Sequence, residues 1–245
     1  MNTAGKTNPV ALITGGGTGL GKALALALAH DGFDLALHYR SSEAEALQTL
    51  EDVLVRGSAA ELFQADLAVE EEALELAASM RARFGRLDLL VNNAGLYQAR
   101  PGLELSAAEW FEGLNSTVTQ TYFTTRAMLP LLREGGLKRV VNIGDSNCDR
   151  PGARDLAWSY HVGKTGVWML TRCFAAAEAA HGVAVNMVSP GFMENSLGEL
   201  DPAEVPAGRL GTCHDIYQAV RFLALEAPAY LTGSNLVVSG GWNLR

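Results

Sequence analysis

The residues Val10-Ala-Leu-Ile-Thr-Gly-Gly-Gly-Thr-Gly-Leu-Gly21 begin as a short apolar strand and continue as a glycine-rich turn. An apolar helix follows over residues 22–30. Glycines permit positive φ and close backbone approach, and the helix directs its first amide groups and the positive end of its dipole at the turn. Such a turn suits an anionic pyrophosphate, although a single glycine-rich turn also occurs as a plain connection in α/β proteins.

Strand patterns alternate with helix patterns along the whole chain. β-rich runs are predicted at residues 10–13, 35–39, 60–64, 87–91, 139–143, 184–188 and 236–238. Helices are predicted at residues 22–30, 43–56, 69–84, 106–132 and 158–181, with another starting near Thr212. Ser106 and Glu109 predict a capping box at the start of the fourth helix. This alternation predicts one α/β domain over residues 1–245. We expect a doubly wound, mostly parallel seven-stranded sheet of the Rossmann type, with helices on both faces and ligands at the carboxyl ends of its strands.

Composition excludes several classes of function. A formal net charge of -8 and a pI near 5.1 argue against nucleic-acid binding and against a polybasic membrane contact. Residues 1–9 lack the apolar stretch of a signal peptide, so a cytoplasmic location is expected. The three cysteines have no Cys-x-x-Cys spacing and should be small buried residues. The five histidines are scattered, so no metal site is predicted.

The end of the second strand predicts which dinucleotide binds. A dinucleotide fold places the adenosine ribose there, and an acidic residue usually binds its hydroxyls. This chain instead reads His38-Tyr-Arg-Ser-Ser42, which offers a cation and two hydroxyl groups. The pattern favours a 2′-phosphate, and therefore NADPH over NADH, with Tyr39, Arg40 and Ser41 as contacts. The alternative is a solvated helix entry in which Ser42 is the N-cap.

Tyr160 and Lys164 are the candidate catalytic pair. They are four residues apart in a helical pattern, so both side chains share one face. A tyrosine that exchanges protons near neutral pH needs a neighbouring cation to lower its pKa, and Lys164 is placed to supply it. Asn115, on a largely apolar helix, could anchor a water chain or be a satisfied core group. Asp145 is delivered to the carboxyl edge of the sheet by the strand at 139–143.

The loop over residues 190–211 is long and contains three prolines. Long loops without secondary structure often serve as lids over an active site. Its residues Phe192, Met193, Glu194 and Asn195 are therefore expected beside the substrate, and a mobile surface loop is the alternative.

Together these motifs resemble the short-chain dehydrogenase/reductase family over essentially the whole chain. Thr14 to Gly21 is similar to the family's cofactor loop, Asn92-Asn-Ala-Gly95 to its N-N-A-G motif, and Asn115, Tyr160 and Lys164 to its catalytic residues. The resemblance implies a homotetramer. It also implies these cofactor contacts, besides the residues at the second strand: Gly15, Thr18, Gly19, Leu20, Gly21, Asp66, Leu67, Asn93, Ala94, Gly95, Tyr160, Lys164, Pro190 and Gly191.

The family's usual Asn-Ile-Ser-Ser segment reads Asn142-Ile-Gly-Asp145 in this chain. Pteridine reductases resemble it here, because they carry an aspartate at this position, an aromatic where Tyr97 stands and a similar histidine-tyrosine segment on the second strand. One group of them has an arginine in the glycine loop, where this chain has Gly19. An ionised carboxylate only accepts hydrogen bonds and suits the N–H edge of a pterin better than a carbonyl. Alternatively, Asp145 caps the loop and Ser146 orients a carbonyl.

The sequence therefore predicts an NADPH-dependent reductase acting on a C=N or C=O bond of a small molecule. The leading candidate substrate is a dihydropteridine or dihydrofolate, contacted by Tyr97, Asp145, Ser146, Phe192 and Met193. The first alternative is a 3-oxoacyl-carrier-protein or small-ketone reductase, for which a basic patch of Arg126, Arg133, Lys138 and Arg139 could dock the carrier protein. The second alternative is a non-catalytic dinucleotide-binding protein.

Overall fold

The computed structural model describes residues 8–196 and 201–244. Its centre is a seven-stranded sheet in which every pairing is parallel and the strand order is β3-β2-β1-β4-β5-β6-β7. The strands are β1 Val10–Ile13, β2 Asp34–Tyr39, β3 Ala60–Gln64, β4 Leu89–Asn92, β5 Arg139–Ile143, β6 Ala184–Pro190 and β7 Asn235–Val238. The order reverses direction between β1 and β4, and a crevice for ligands forms at such a switch point.

Helices cover both faces of the sheet. They are α1 Gly19–His30, α2 Glu43–Leu54, α3 Glu70–Phe84, α4 Ala107–Leu114, α5 Gln120–Glu134, α6 Trp158–Glu178 and α7 Cys213–Arg221. A π-helical turn, Asn115–Thr119, joins α4 to α5, so the two form one continuous helical path. In this turn the Gln120 amide bonds to the Asn115 carbonyl, five residues back, which changes the register of every side chain that follows.

Alternation along the strands builds two apolar cores. Ala11 and Ile13 pack into the layer that holds α1, α2 and α7. Val10 and Leu12 pack into the opposite layer, which holds α3, α5 and α6. The fold class predicted from the sequence is therefore confirmed.

Several predicted boundaries shift by a few residues. The first helix begins at Gly19 rather than at residue 22, and β4 begins at Leu89 rather than at residue 87. Leu87 is fully buried, but its amide bonds to the Leu131 carbonyl of α5 instead of to a strand. The second helix ends at Leu54, and Val55 is its C-cap. The chain then turns at Gly57, whose φ is +86°.

Local signals in the loops have mixed outcomes. The predicted capping box at the start of α4 is present, with both the Ser106 and the Glu109 bonds formed. Ser42 stands at the N-cap of α2 but makes no side-chain capping bond. Of the cysteines only Cys148 is buried; Cys173 is exposed on α6, so that expectation was wrong. Among the described residues no helix combines the length and the apolar character needed to cross a membrane.

Candidate active site

The glycine turn lies at the carboxyl ends of β1 and β4 and is packed too closely for side chains. A Cβ added at Gly21 would stand 2.0 Å from the Gly15 carbonyl oxygen, and Gly15 and Gly19 have φ of +63° and +51°. Only glycine meets both demands without strain. The first amides of α1 are thereby held against the turn, where they can bind a diphosphate.

Side chains from two strands hold this turn on the sheet. The Thr14 hydroxyl accepts bonds from the amides of Asn93 and Ala94, at 2.9 and 3.0 Å. The Asn93 side-chain amide donates to the carbonyls of Thr14 and Gly15, at 2.9 and 3.2 Å. Asn93 thus connects the two strand ends that flank the switch point.

His38 is a third tie, which the sequence analysis had not assigned to the site. Its Nδ1 accepts from the Gly15 amide at 3.3 Å, and its Nε2 donates to the Ala65 carbonyl at 2.9 Å. A neutral imidazole protonated on Nε2 satisfies both bonds. Burial lowers the pKa of His38, which favours that neutral form.

A cavity of about 470 Å³ extends over the glycine turn. Predicted cofactor contacts that line it are Gly15, Thr18, Gly19, Leu20, Gly21, Tyr39, Arg40, Ser41, Leu67, Asn93, Ala94 and Gly95. Arg40 carries the one formal charge among the described lining residues, and its pair with Glu112 is a loose 3.9 Å contact between half-exposed groups. The cavity therefore fits an anionic dinucleotide, and Arg40 supplies a positive charge in its lining.

Five predicted cofactor contacts lie outside the lining of this cavity: Asp66, Pro190 and Gly191, and the pair Tyr160 and Lys164 described below. Asp66 stands between the lining residues Ala65 and Leu67, but its carboxylate accepts the Ala68 amide at 3.0 Å. Pro190 and Gly191 form the turn after β6; the Pro190 carbonyl accepts from the Ser146 amide, and the Gly191 amide donates to Val238.

Tyr160 and Lys164 share one face of α6, as their spacing predicted. The Lys164 Nζ lies 5.6 Å from the centroid of the Tyr160 ring and donates to the Ile143 carbonyl at 2.6 Å. Lys164 is only 4% exposed, and burial lowers its pKa to about 8. Two predicted partners thus meet at the carboxyl end of β5.

The pKa of Tyr160 moves opposite to the expected direction. Burial raises it above its ordinary value, and the nearby charge of Asp145 raises it further. Lys164 stands over the ring and is bonded elsewhere, so it does not offset these two effects. The prediction that Lys164 lowers the pKa of Tyr160 below its ordinary value is therefore wrong. Tyr160 is a protonated phenol, which is the form that can donate a proton.

Asp145 lies beside an aromatic cluster at the catalytic pair. The Tyr97 ring makes an edge contact with Tyr160, with centroids 5.1 Å apart, and with His161 at 6.1 Å. The His161 Nδ1 is 4.0 Å from a carboxylate oxygen of Asp145. Burial lowers the pKa of His161, while the charge of Asp145 acts in the opposite direction. Tyr97 and Asp145 are therefore placed beside Tyr160, as the sequence predicted.

Ser146 is not placed to replace Asp145. The Gly144 amide bonds to Val188 and the Ser146 amide to Pro190, so the ladder with β6 continues past Ile143. Residues 146–149 then form a turn, and the Asp145 carboxylate accepts from the Asn147 amide at 3.0 Å, so Asp145 caps this loop as the alternative expected. Ser146 is only 3% exposed and lines neither cavity of the described site.

The position of Asn115 also differs from the prediction. Its side chain is exposed, and it lines neither of the two cavities. The Ser116 carbonyl lies near Lys164 instead: a Cβ at Gly95 would meet the Ser116 oxygen at 3.7 Å and the Lys164 Nζ at 3.6 Å. The π-helical turn begins at Asn115, and its altered register could not be read from the spacing.

Phe192 and Met193 anchor the long loop. The Phe192 ring packs against Trp242 with centroids 4.8 Å apart, and Met193 is buried in the core beside α7. A parallel bridge between Met193 and Gly211 closes the base of the loop. The predicted substrate contacts are thus packing contacts. The predicted lid over 190–211 includes residues 197–200, which lie outside the described residues.

The sequence and the fold match those of known proteins over nearly the whole chain. A family model described as Enoyl-(Acyl carrier protein) reductase matches residues 15–243. The 3-oxoacyl-[acyl-carrier-protein] reductase of Haemophilus influenzae is 34% identical over 244 residues, covering 95% of this chain and 97% of that protein. A short-chain type dehydrogenase/reductase from Mycobacterium marinum superposes with a TM-score of 0.87 at 27% identity, covering 96% of this chain and 94% of that one.

The chain belongs to the short-chain dehydrogenase/reductase family. It is therefore an oxidoreductase. Another similar structure, the acetoin dehydrogenase of Enterobacter cloacae, has a TM-score of 0.86 at 30% identity and covers 97% of each chain. These relatives are named for different substrates, so family membership does not establish the substrate of this chain.

A second cavity of this family member, of about 420 Å³, begins at Asp145 and His161. We call it the tryptophan cavity, because Trp110 of α4 and Trp158 of α6 line it. The loop after β5 and the outward face of α6 complete its walls. Apolar residues that line it, besides the tryptophans, are Cys148, Pro151, Ala153 and Val162. This cavity could not be predicted from the sequence, because its walls come from segments that are distant in the chain.

We expect the His38 ties to depend on pH. Its folded pKa is lowered, so its stabilising contribution is complete above the ordinary value of 6.5 and is lost as the pH falls through the folded pKa. His38→Gln should lower the free energy of unfolding by about 1–3 kcal/mol at pH 7.5. That difference should shrink between pH 6.5 and 5, measured by urea denaturation. The exposed His30→Gln is the control, and a difference that stays constant with pH would contradict the assignment.

The buried charge of Lys164 should lower the free energy of unfolding of this chain. Because burial lowers its pKa from 10.5 to about 8, its charge opposes folding below pH 8, and this effect fades as the pH rises toward 10.5. Lys164→Met removes the buried charge but also loses the hydrogen bond to the Ile143 carbonyl, which costs about 1 kcal/mol. The net effect should be a free energy of unfolding at pH 7 that is higher by about 2 kcal/mol. Turnover should disappear. A variant less stable than the wild type at pH 7 would show that the lysine's contacts outweigh its desolvation.

Proposed function

We propose that the chain is an NADPH-dependent reductase of a small molecule in which N–H donors stand beside a reducible C=N bond. A dihydropterin, such as dihydrobiopterin or dihydrofolate, is the leading candidate. The observation that carries this proposal is the Asp145 carboxylate, which lies near Tyr160 and His161 while Ser146 is buried. A carboxylate accepts hydrogen bonds, whereas a carbonyl substrate would need a donor.

The cofactor would be held by the cavity over the glycine turn. The amides at the start of α1 would bind its diphosphate, and Arg40 with Ser41 would bind the 2′-phosphate that distinguishes NADPH from NADH. Gly95, with no side chain, leaves room for the nicotinamide ribose beside Lys164. When bound, the nicotinamide supplies the hydride that the substrate carbon accepts.

The chain's own residues then provide the proton. The Tyr160 hydroxyl, kept neutral by its raised pKa, donates its proton to the substrate nitrogen or oxygen as the carbon is reduced. Lys164, whose Nζ lies 5.6 Å from the ring centroid, would hold the nicotinamide ribose beside Tyr160. Asp145 accepts N–H bonds from the substrate and so orients its reducible bond.

Reduction of a 3-oxoacyl thioester is the second candidate, because the Haemophilus influenzae relative carries that name. The predicted docking patch does not favour a carrier protein as its partner. Arg126 pairs with Glu70, Arg133 forms two bonds to the buried carboxylate of Glu178, and Arg139 donates to the Ala227 carbonyl. Three of the four cations of that patch are therefore already hydrogen-bonded to other groups of this chain.

A non-catalytic dinucleotide-binding protein is disfavoured, because Tyr160 and Lys164 stand together and Lys164 lies next to the cavity residue Gly95. We also propose the homotetramer and the cytoplasmic location that the sequence suggested. Exposed apolar side chains on α4 and α6 support association: Phe111 is 59%, Val162 51% and Met169 61% exposed.

Tyr160→Phe should remove the proton donor and leave the cofactor cavity intact. General acid catalysis typically contributes about 10²–10⁴-fold, and we expect a loss of kcat in that range. NADPH oxidation measures kcat, and the enhancement of NADPH fluorescence measures binding. Near-normal turnover by this variant would disprove the role of Tyr160.

Asp145→Ser should separate the two candidate substrates. Purified wild type should oxidise NADPH with dihydrobiopterin or dihydrofolate faster than with an acetoacetyl thioester. In the variant, kcat/KM for the pterins should fall by at least about tenfold, as expected for one lost charge-assisted bond. Thioester turnover should survive or improve. If the wild type reduces only the thioester, Asp145 is incidental and the second candidate is correct.

A further inference from the structure

The tryptophan cavity shares Asp145 with the catalytic site. The charge of Asp145 acts on both Tyr160 and Lys164, and the same residue lines the cavity together with His161. A molecule whose reducible bond lies at Tyr160 would therefore meet this cavity directly beyond Asp145. The volume of about 420 Å³ falls within the range of about 300–1,000 Å³ that is usual for small-molecule sites.

Arg154 gives the cavity a specific polar character. It is partly buried among the lining residues and makes no ion pair with any described residue. The Trp158 ring nitrogen donates to the Arg154 carbonyl at 2.6 Å, which holds the arginine backbone beside the ring. The Arg154 charge is close enough to lower the pKa of His161. Two tryptophans and an unpaired guanidinium are complementary to a flat apolar group that carries an anion.

We propose that the tryptophan cavity binds the non-reacting part of the substrate, a flat aryl group bearing a carboxylate that Arg154 recognises. The proposal rests on the proposed function only for the identification of this occupant as substrate. It makes Arg154 a specificity-determining residue that favours dihydrofolate, which carries an aryl group and carboxylates, over dihydrobiopterin, which carries neither and would leave the guanidinium unsatisfied. Asp145 at the inner end would repel an anion and accept N–H donors, so the two charges also fix the orientation of the molecule.

Equilibrium binding of two matched probes tests this assignment without requiring turnover. 2-Naphthoate and 2-naphthamide share one aryl body, and only the first is charged. Titration calorimetry on the full chain should show 2-naphthoate binding about tenfold more tightly, as one charge-assisted contact provides. Arg154→Gln should remove that difference by weakening 2-naphthoate alone. Arg150→Gln, on the exposed part of the same loop and outside the cavity lining, should change neither affinity.

Steady-state inhibition connects the cavity to the reaction. 2-Naphthoate should compete with the reducible substrate and not with NADPH. Non-competitive inhibition, failure of both probes to bind, or equal loss of affinity in Arg154→Gln and Arg150→Gln would overturn the proposal. If no pterin is reduced but 2-naphthoate binding still depends on Arg154, the proposed function fails and the cavity assignment stands. If pterins are reduced and neither probe binds, only the cavity assignment fails.

Discussion

The architecture of the site depends on how the glycine turn is held against the sheet. A turn rich in glycine has little preference for one conformation and loses much entropy when it is fixed. Thr14, His38 and Asn93 compensate by donating to or accepting from its backbone and that of the neighbouring loop. The close approach of Gly21 to Gly15 then follows from the packing of α1 on β1. Without these bonds the turn would not be held in one conformation against the first amides of α1, where a diphosphate can bind.

The catalytic face is built against the preferences of its own charged groups. Lys164 and Tyr160 are removed from water, and both pKa shifts disfavour the ionised forms. The negative charge of Asp145 favours protonation of both groups. Tyr160 is therefore a neutral phenol, which is the form that can donate a proton. Burying these ionisable groups lowers the stability of the fold, and the apolar cores on both faces of the sheet compensate for that loss.

Sequence reasoning succeeded where the signal was local. Period-two strands, glycine turns and the Ser106–Glu109 capping box depend on neighbouring residues, and these features were found. It failed where partners are distant in the chain. The cations Arg126 and Arg133 looked free, but their carboxylates lie 56 and 45 residues away. Asn115 is exposed and lines neither cavity, and the π-helical turn that begins at this residue could not be predicted from the spacing. The tie formed by His38 needed β3, 27 residues on, to deliver the Ala65 carbonyl.

The proposed choice of substrate depends on a short segment whose backbone has little freedom. A Cβ at Gly144 would stand 2.4 Å from the Ser189 hydroxyl oxygen, so this position is closed to other residues. The ladder bonds of Gly144 and Ser146 to β6 then determine which way residue 145 points. Exchanging a hydroxyl for a carboxylate at this one position reverses the hydrogen-bonding polarity of the site and leaves Tyr160 and Lys164 in place. Members of one family can therefore share fold and proton donor while selecting chemically opposite substrates.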